Sequence, residues 1–148
     1  MLGEGLPGSV GDYAVSIGTT GVDYTLRTAP DGAFQAVTGI RFADITDGLS
    51  NTLMAGEKHV PQGSLGLYPW DCNIYDGHNP VCHTRSGGPD FPLAVSREDP
   101  GWKFGSPHPG VCQFVFCDGG VRPLAKTISP VTLGLLAQRN DGQVIPPY

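Results

Sequence analysis

Apolar positions alternate with polar or small ones in a few short stretches of this chain, and glycine and proline separate those stretches. Asp12-Tyr13-Ala14-Val15-Ser16-Ile17-Gly18 alternates in this way and predicts a strand. Thr19 to Gly32 is loop-like and closes on the turn signal Asp31-Gly32, and Ala33 to Phe42 predicts a second extended stretch, interrupted at Gly39. Asp44 is placed to cap a short helical turn, with Asp47 three residues later, and Thr52 to Lys58 predicts another strand.

The pattern is clearest near the C-terminal end. Val111-Cys112-Gln113-Phe114-Val115-Phe116-Cys117 predicts a strand whose Cys112, Phe114 and Phe116 share one apolar face. Asp118-Gly119 tolerates positive φ and predicts a two-residue hairpin turn, setting Phe116 opposite Val121 and Val115 opposite Arg122. Pro123 confines the return strand to a short or edge position. Ser129-Pro130 opens a helix that runs to about Arg139 and buries Leu133, Leu136 and Ala137. Asn140-Asp141-Gly142 then ends it.

Residues 59–103 carry no such period. Pro61, Pro69, Pro80, Pro89, Pro92 and Pro100 break any long element there, so this stretch reads as an irregular loop region. Residues 1–11 form a Gly-rich lead-in, and no internal repeat is visible. The chain of 148 residues suits one domain, 1–148, with a sizeable core.

Composition adjusts this picture in three ways. Glycine (22) and proline (14) make about a quarter of the chain, but they lie between apolar clusters, which indicates a folded, turn-rich, mostly β domain. A net charge of −5 with nine Lys and Arg, none clustered, argues against nucleic acid and against an anionic membrane surface. No apolar run reaches the ~18 residues that span a bilayer, and Met1-Leu2-Gly3-Glu4 lacks the features of a signal peptide, so no membrane insertion is expected.

Four cysteines allow three pairings. Cys72 and Cys82 flank a Gly/Asn/Pro loop, a setting that suits a disulfide, with two buried thiols as the alternative. Cys112 and Cys117 stand at odd spacing on one strand, point to opposite faces and should not pair with each other.

Phe104-Gly105-Ser106-Pro107-His108-Pro109-Gly110 leads to Asp118-Gly119 with nine residues between His108 and Asp118. This resembles the H-X9-DG tail of a bacterial family of prepilin-like, pseudopilin-type proteins of unknown function. Ala43-Asp44-Ile45-Thr46-Asp47-Gly48-Leu49-Ser50-Asn51-Thr52-Leu53 with Glu57 resembles its central block, and Asp12-Tyr13-Ala14-Val15-Ser16-Ile17-Gly18-Thr19 its early segment. The resemblance implies an exported β-rich domain, extracellular or at the cell surface, that follows an N-terminal methylation motif and a long apolar helix. Neither motif nor helix stands in this sequence. The implied partners are other pilin-like subunits or cell-surface proteins.

Candidate chemistry is sparse. Glu57, His108 and Asp118 would form a metal-dependent hydrolase site if they converged. However, ten extended residues span roughly 33 Å, so His108 is expected to pin the start of its strand while Asp118 makes the turn. Asp71 and Asp76, with Asp47 and Glu57 behind them, are calcium candidates against a reading as solvated loop acids; calcium also recurs among pseudopilin domains. Cys72, His78, Cys82 and His83 supply zinc-type ligands at a spacing that matches no common zinc pattern. Serines 50, 64, 96 and 106 lack a nucleophile elbow, and no positive neighbour activates Cys117. Tyr68, Trp70, Tyr75 and Trp102, with Phe91, form either a binding surface for sugar or protein or a small core under the loops.

The expected fold is α+β: an antiparallel sheet, the irregular region 59–103, and a hairpin plus C-terminal helix over 104–145. The expected function is non-enzymatic and needs no cofactor: an exported pseudopilin-like component of a filament or type II secretion-like apparatus. An extracellular carbohydrate- or protein-binding module using the 59–103 loops is the alternative.

Overall fold

The computed structural model describes residues 8–21, 29–35, 38–77 and 79–148. Five strands form one sheet: β1 Tyr13–Ser16, β2 Leu53–Glu57, β3 Thr84–Arg85, β4 Val111–Phe116 and β5 Val121–Ala125, in the order β3-β1-β2-β4-β5. One helix, α1 Pro130–Ala137, follows. The fold class is α+β, but the sheet is mixed, because β3 runs parallel to β1 while the other pairs are antiparallel. The parallel pair is short and is tied by Val15 N–H to the His83 carbonyl (2.9 Å) and Ile17 N–H to the Arg85 carbonyl (3.2 Å).

Period-2 alternation decides the inner face. Ala14, Leu53, Cys112, Phe114, Phe116 and Leu124 point to one side and are buried against Leu133, Leu136 and Ala137 of α1 and against Leu93 and Phe104. Gly56 belongs to this face because the Phe114 ring crosses it. A Cβ there would run into Phe114 and stand 3.0 Å from Phe104 Cδ1. Gly56→Ala should therefore lower stability by about 1–3 kcal/mol through overpacking, a loss that urea titration followed by fluorescence measures.

The hairpin differs from the expected two-residue turn. Gly119 N–H donates to the Phe116 carbonyl and Phe116 N–H to the Gly120 carbonyl (both 2.9 Å), with Gly119 at φ 83°. Cys117, Asp118 and Gly119 thus make a three-residue loop with a glycine bulge. The register moves by one, so Val121 faces Val115 and Arg122 faces Phe114. Arg122 consequently lies on the inner side, its guanidinium 4.3 Å from the Phe116 ring centroid.

Ala33 to Phe42 forms no strand among its described residues. Gly32 and Phe34 N–H groups bond the end of β1, and Phe42–Asp44 is a 3-10 turn. Asp44 closes that turn instead of capping a following one: its carboxylate accepts from the Arg41 N–H and guanidinium. Ser129 sits at the N-terminal boundary of α1 without a side-chain cap bond, and Gln138 is already extended, so the helix stops short of Arg139.

The 59–103 region is irregular but built inward. The disulfide Cys72–Cys82 packs with Val81 under Tyr68 and Trp102, and backbone bridges join Lys58 to Phe104, Ser86 to Lys103 and Ala94 to Gly105. Removing the crosslink, as in Cys72→Ser, should lower stability by about 2–3 kcal/mol from loop-closure entropy. Thermal unfolding with and without reductant checks this. Cys112 and Cys117 are free, buried and in separate clusters. Burial pushes their thiols up to about 12 and about 11, which leaves them protonated and inert at neutral pH.

Candidate functional site

The sheet pairs the sequence-predicted residues in an unexpected way. Glu57 ends β2 beside β4. Its Oε2 accepts from Gln113 N–H at 2.6 Å, and its Oε1 lies 3.0 Å from His108 Nε2. Glu57 is buried and His108 largely exposed, so the ring closes over the carboxylate. The loop around His108 is braced by Ser106, whose hydroxyl donates to the Val111 carbonyl (2.6 Å) and accepts from His108 N–H (3.2 Å). His108 therefore pins the start of β4, and it does so through Glu57. Glu57→Ala should cost about 1–3 kcal/mol, because Gln113 N–H loses its acceptor. His108→Ala, at an exposed position, should cost under about 1 kcal/mol; chemical denaturation of both variants tests that ordering.

Asp118 lies at the other end of β4. Its carboxylate accepts from Gly120 N–H (2.8 Å) and from the Arg122 guanidinium (2.5 Å). Those contacts, the Gly120 N–H foremost, hold it below the usual carboxylate range. Arg122 also donates to the Ser50 carbonyl (2.8 Å), and Asp118 N–H donates to the Leu49 carbonyl (3.0 Å). Leu53 faces Phe116 beside this tip, whereas Glu57 stands four residues further along β2, roughly 13 Å away at strand rise. Glu57 and His108 meet; Asp118 does not join them, so the three-residue hydrolase site is not formed.

Asp47 has a third position. Its oxygens accept from the Asp141 and Gly142 N–H groups (2.7 and 2.9 Å) and hold the segment after α1, while Asn51 donates to the Asp47 carbonyl (3.0 Å). Gly48 at φ 100° starts the 3-10 turn Leu49–Asn51. Asp31, read from the sequence only as a turn residue, does comparable work. It accepts from Thr19 N–H and hydroxyl and from Gln138, joining the end of β1 to the end of α1.

The calcium candidates are not gathered into a ligand set. Asp71 is 1% exposed and pairs with Lys58 Nζ at 2.5 Å, while its second oxygen accepts from Gly66 N–H. Asp76 accepts from the Asn79 side chain at 2.8 Å. Among the described residues, no three His, Cys, Asp or Glu side chains stand close enough to hold a metal. For the zinc-type set, Cys72 and Cys82 are spent on the disulfide, His83 Nε2 contacts the Asp76 carbonyl, and His78 lies outside the described residues.

The aromatics of 59–103 divide. Trp70 and Trp102 stack at 4.3 Å and 21°, half-buried, with Tyr68 and Trp102 against the disulfide cluster. Tyr75 alone is open, at 84% exposure. A cleft of about 520 Å³ opens between residues 58–63, 95–97 and 105–107, beside Asp12 and Lys126.

Two further features carry no sequence signal. Arg85 is fully buried and donates to the carbonyls of His59, Trp70, Val81 and Thr84 at 2.7–3.2 Å. Burial pushes its guanidinium down to about 10, which still leaves it charged at neutral pH. The outer face of the sheet is the second feature. Tyr13, Val15, Ala55, Val115, Val121 and Pro123 lie there beside Glu57 and Gln113, with Tyr13 and Val121 about two-thirds exposed.

A model of a family described as protein of unknown function, DUF1559, matches residues 11–130, the stretch that holds all five strands and every motif residue above except Asp141 and Gly142. The chain belongs to the DUF1559 family. No curated protein and no solved structure matches it. For this DUF1559 chain, Glu57, His108, Asp47 and Asp118 act as ties between segments far apart in sequence.

Proposed function

We propose that this DUF1559 chain is an exported, pseudopilin-like structural component that assembles with like subunits in a cell-surface filament or type II secretion-like apparatus. The observation that carries the reading is an apolar row that crosses the outer face of the sheet. One-sided antiparallel sheets ordinarily turn polar side chains to water. Here the row Val15, Ala55, Val115, Val121 is apolar across four strands, with Tyr13 and Pro123 beside it. The neighbouring row, Tyr13, Glu57, Gln113 and Pro123, is polar at its centre, so the apolar part is this one strip, of the kind that a neighbour covers. The Cys72–Cys82 disulfide supports an oxidising compartment, and the H-X9-DG resemblance supports the pilin-like assignment.

The test is made in the native host on the protein as it is produced there. Fractionation should place the chain at the cell surface with Cys72 and Cys82 oxidised, in particles larger than a monomer. Val121→Asp should release it from those particles without shifting its thermal midpoint. Recovery from the cytoplasm with both thiols reduced would overturn the proposal, as would particles unchanged by Val121→Asp.

A further inference from the structure

Neither the outer-face residues nor Glu57 and His108 line the 520 Å³ cleft, which adjoins the His108 loop through Ser106 and Pro107. Its lining has an uneven charge inventory. In a chain of net charge −5, three Lys and Arg side chains line the cleft, and of these Lys58 is paired with Asp71. Arg97 and Lys126, both in the lining, have no carboxylate within ion-pair distance among the described residues. The Lys126 ammonium donates to the Ser106 carbonyl, at 2.6 Å. Asp12 is the single acid in the lining.

The cleft also has an apolar wall. Leu65 and Val95 line it and are 72% and 68% exposed, and the partly buried Val60 and Pro61 line it too. Large aliphatic side chains left this open beside two uncommitted cations suit a ligand that brings both an anionic group and an aliphatic one. No Phe, Tyr or Trp stands in the lining, whose one aromatic ring is the His59 imidazole held at the Asp99 carbonyl, so the broad stacking platform that recognises a sugar face is missing there. A peptide fits all three features: a side-chain carboxylate for the cations, an aliphatic side chain for the wall, and backbone N–H groups for Asp12.

We infer that this cleft binds an acidic peptide segment, with its carboxylate drawn to Arg97 and Lys126 and a neighbouring aliphatic side chain against Leu65 and Val95. The inference stands apart from the assembly proposal, since it uses none of the outer-face residues.

The probe is acetyl-Leu-Asp-Leu-amide, titrated into the full chain by calorimetry and by methyl NMR, beside its Asn counterpart. The Asp peptide should shift the Leu65 and Val95 methyl resonances and bind about tenfold more tightly than the Asn peptide, the scale of one charge-assisted hydrogen bond. Arg97→Gln, an exposed change, should weaken binding of the Asp peptide by a similar factor. Lys126→Gln should do the same, judged only if its thermal midpoint is kept, because Lys126 also holds Ser106. Equal binding of the two peptides, no binding of either, or tighter binding of trigalacturonate or inorganic phosphate than of the Asp peptide would overturn the inference.

Discussion

Arg85→Ala should lower the unfolding free energy by about 4 kcal/mol or more, one of the two largest losses expected from single changes in the 59–103 region. Arg85 is an arginine with no exposed surface whose hydrogen-bond partners are backbone carbonyls. Those carbonyls come from three separate segments: His59 after β2, Trp70 before the disulfide, and Val81 with Thr84 at the start of β3. Truncation leaves four acceptors short of a donor, each costing about 1–3 kcal/mol if it stays dry, and empties the space of the side chain. Entering water relieves part of the sum, which is why the total is set near the lower end. Arg85→Lys should recover less than half of the loss, because an ammonium has three donors at one point and cannot span the planar fork that reaches His59 and Trp70 together. Urea titration read by the Trp70–Trp102 pair measures this. A loss under about 1 kcal/mol, or full rescue by lysine, would show that the guanidinium does not organise the region.

The same residue shows where the sequence stops being legible. The hairpin and helix could be read because their determinants are local: the 112/114/116 alternation, the Asp118-Gly119 pair and Ser129-Pro130 all act within a few residues. The hairpin register was misjudged by one because Asp-Gly serves two-residue and three-residue loops alike. The choice rested on Gly119 taking φ 83° after a turn that begins at Cys117. Strand β3 was invisible, since two residues carry no period and an arginine ordinarily reads as an outward position. The distance argument correctly kept His108 and Asp118 apart, yet gave no hint that His108 would close on Glu57. That contact depends on β2 pairing with β4, 55 or so residues away, a long-range fact with no local trace. The loop aromatics had two open readings, and Trp70, Trp102 and Tyr68 took the inward one because the disulfide supplied a small core for them.

Asp71→Ala should cost about 3–5 kcal/mol, the usual penalty for leaving a buried charge without its partner. Lys58 and Asp71 are each 1% exposed at the side chain and stand 2.5 Å apart. Removing the carboxylate leaves the ammonium in a dry setting and takes the acceptor from Gly66 N–H. The folded state must then admit water to the ammonium or rearrange around it, and urea titration of the variant beside the parent chain measures the loss. The paired change Lys58→Met with Asp71→Leu should restore most of the lost stability, because an apolar pair of similar volume carries no desolvation penalty. That double variant also separates two roles for Asp71. If the carboxylate serves only to neutralise Lys58, the double variant unfolds near the parent midpoint and calcium leaves both midpoints where they are. A calcium-dependent rise in the parent midpoint that the double variant lacks would instead return Asp71 to the role of a metal ligand, in competition with Lys58 for the same oxygens.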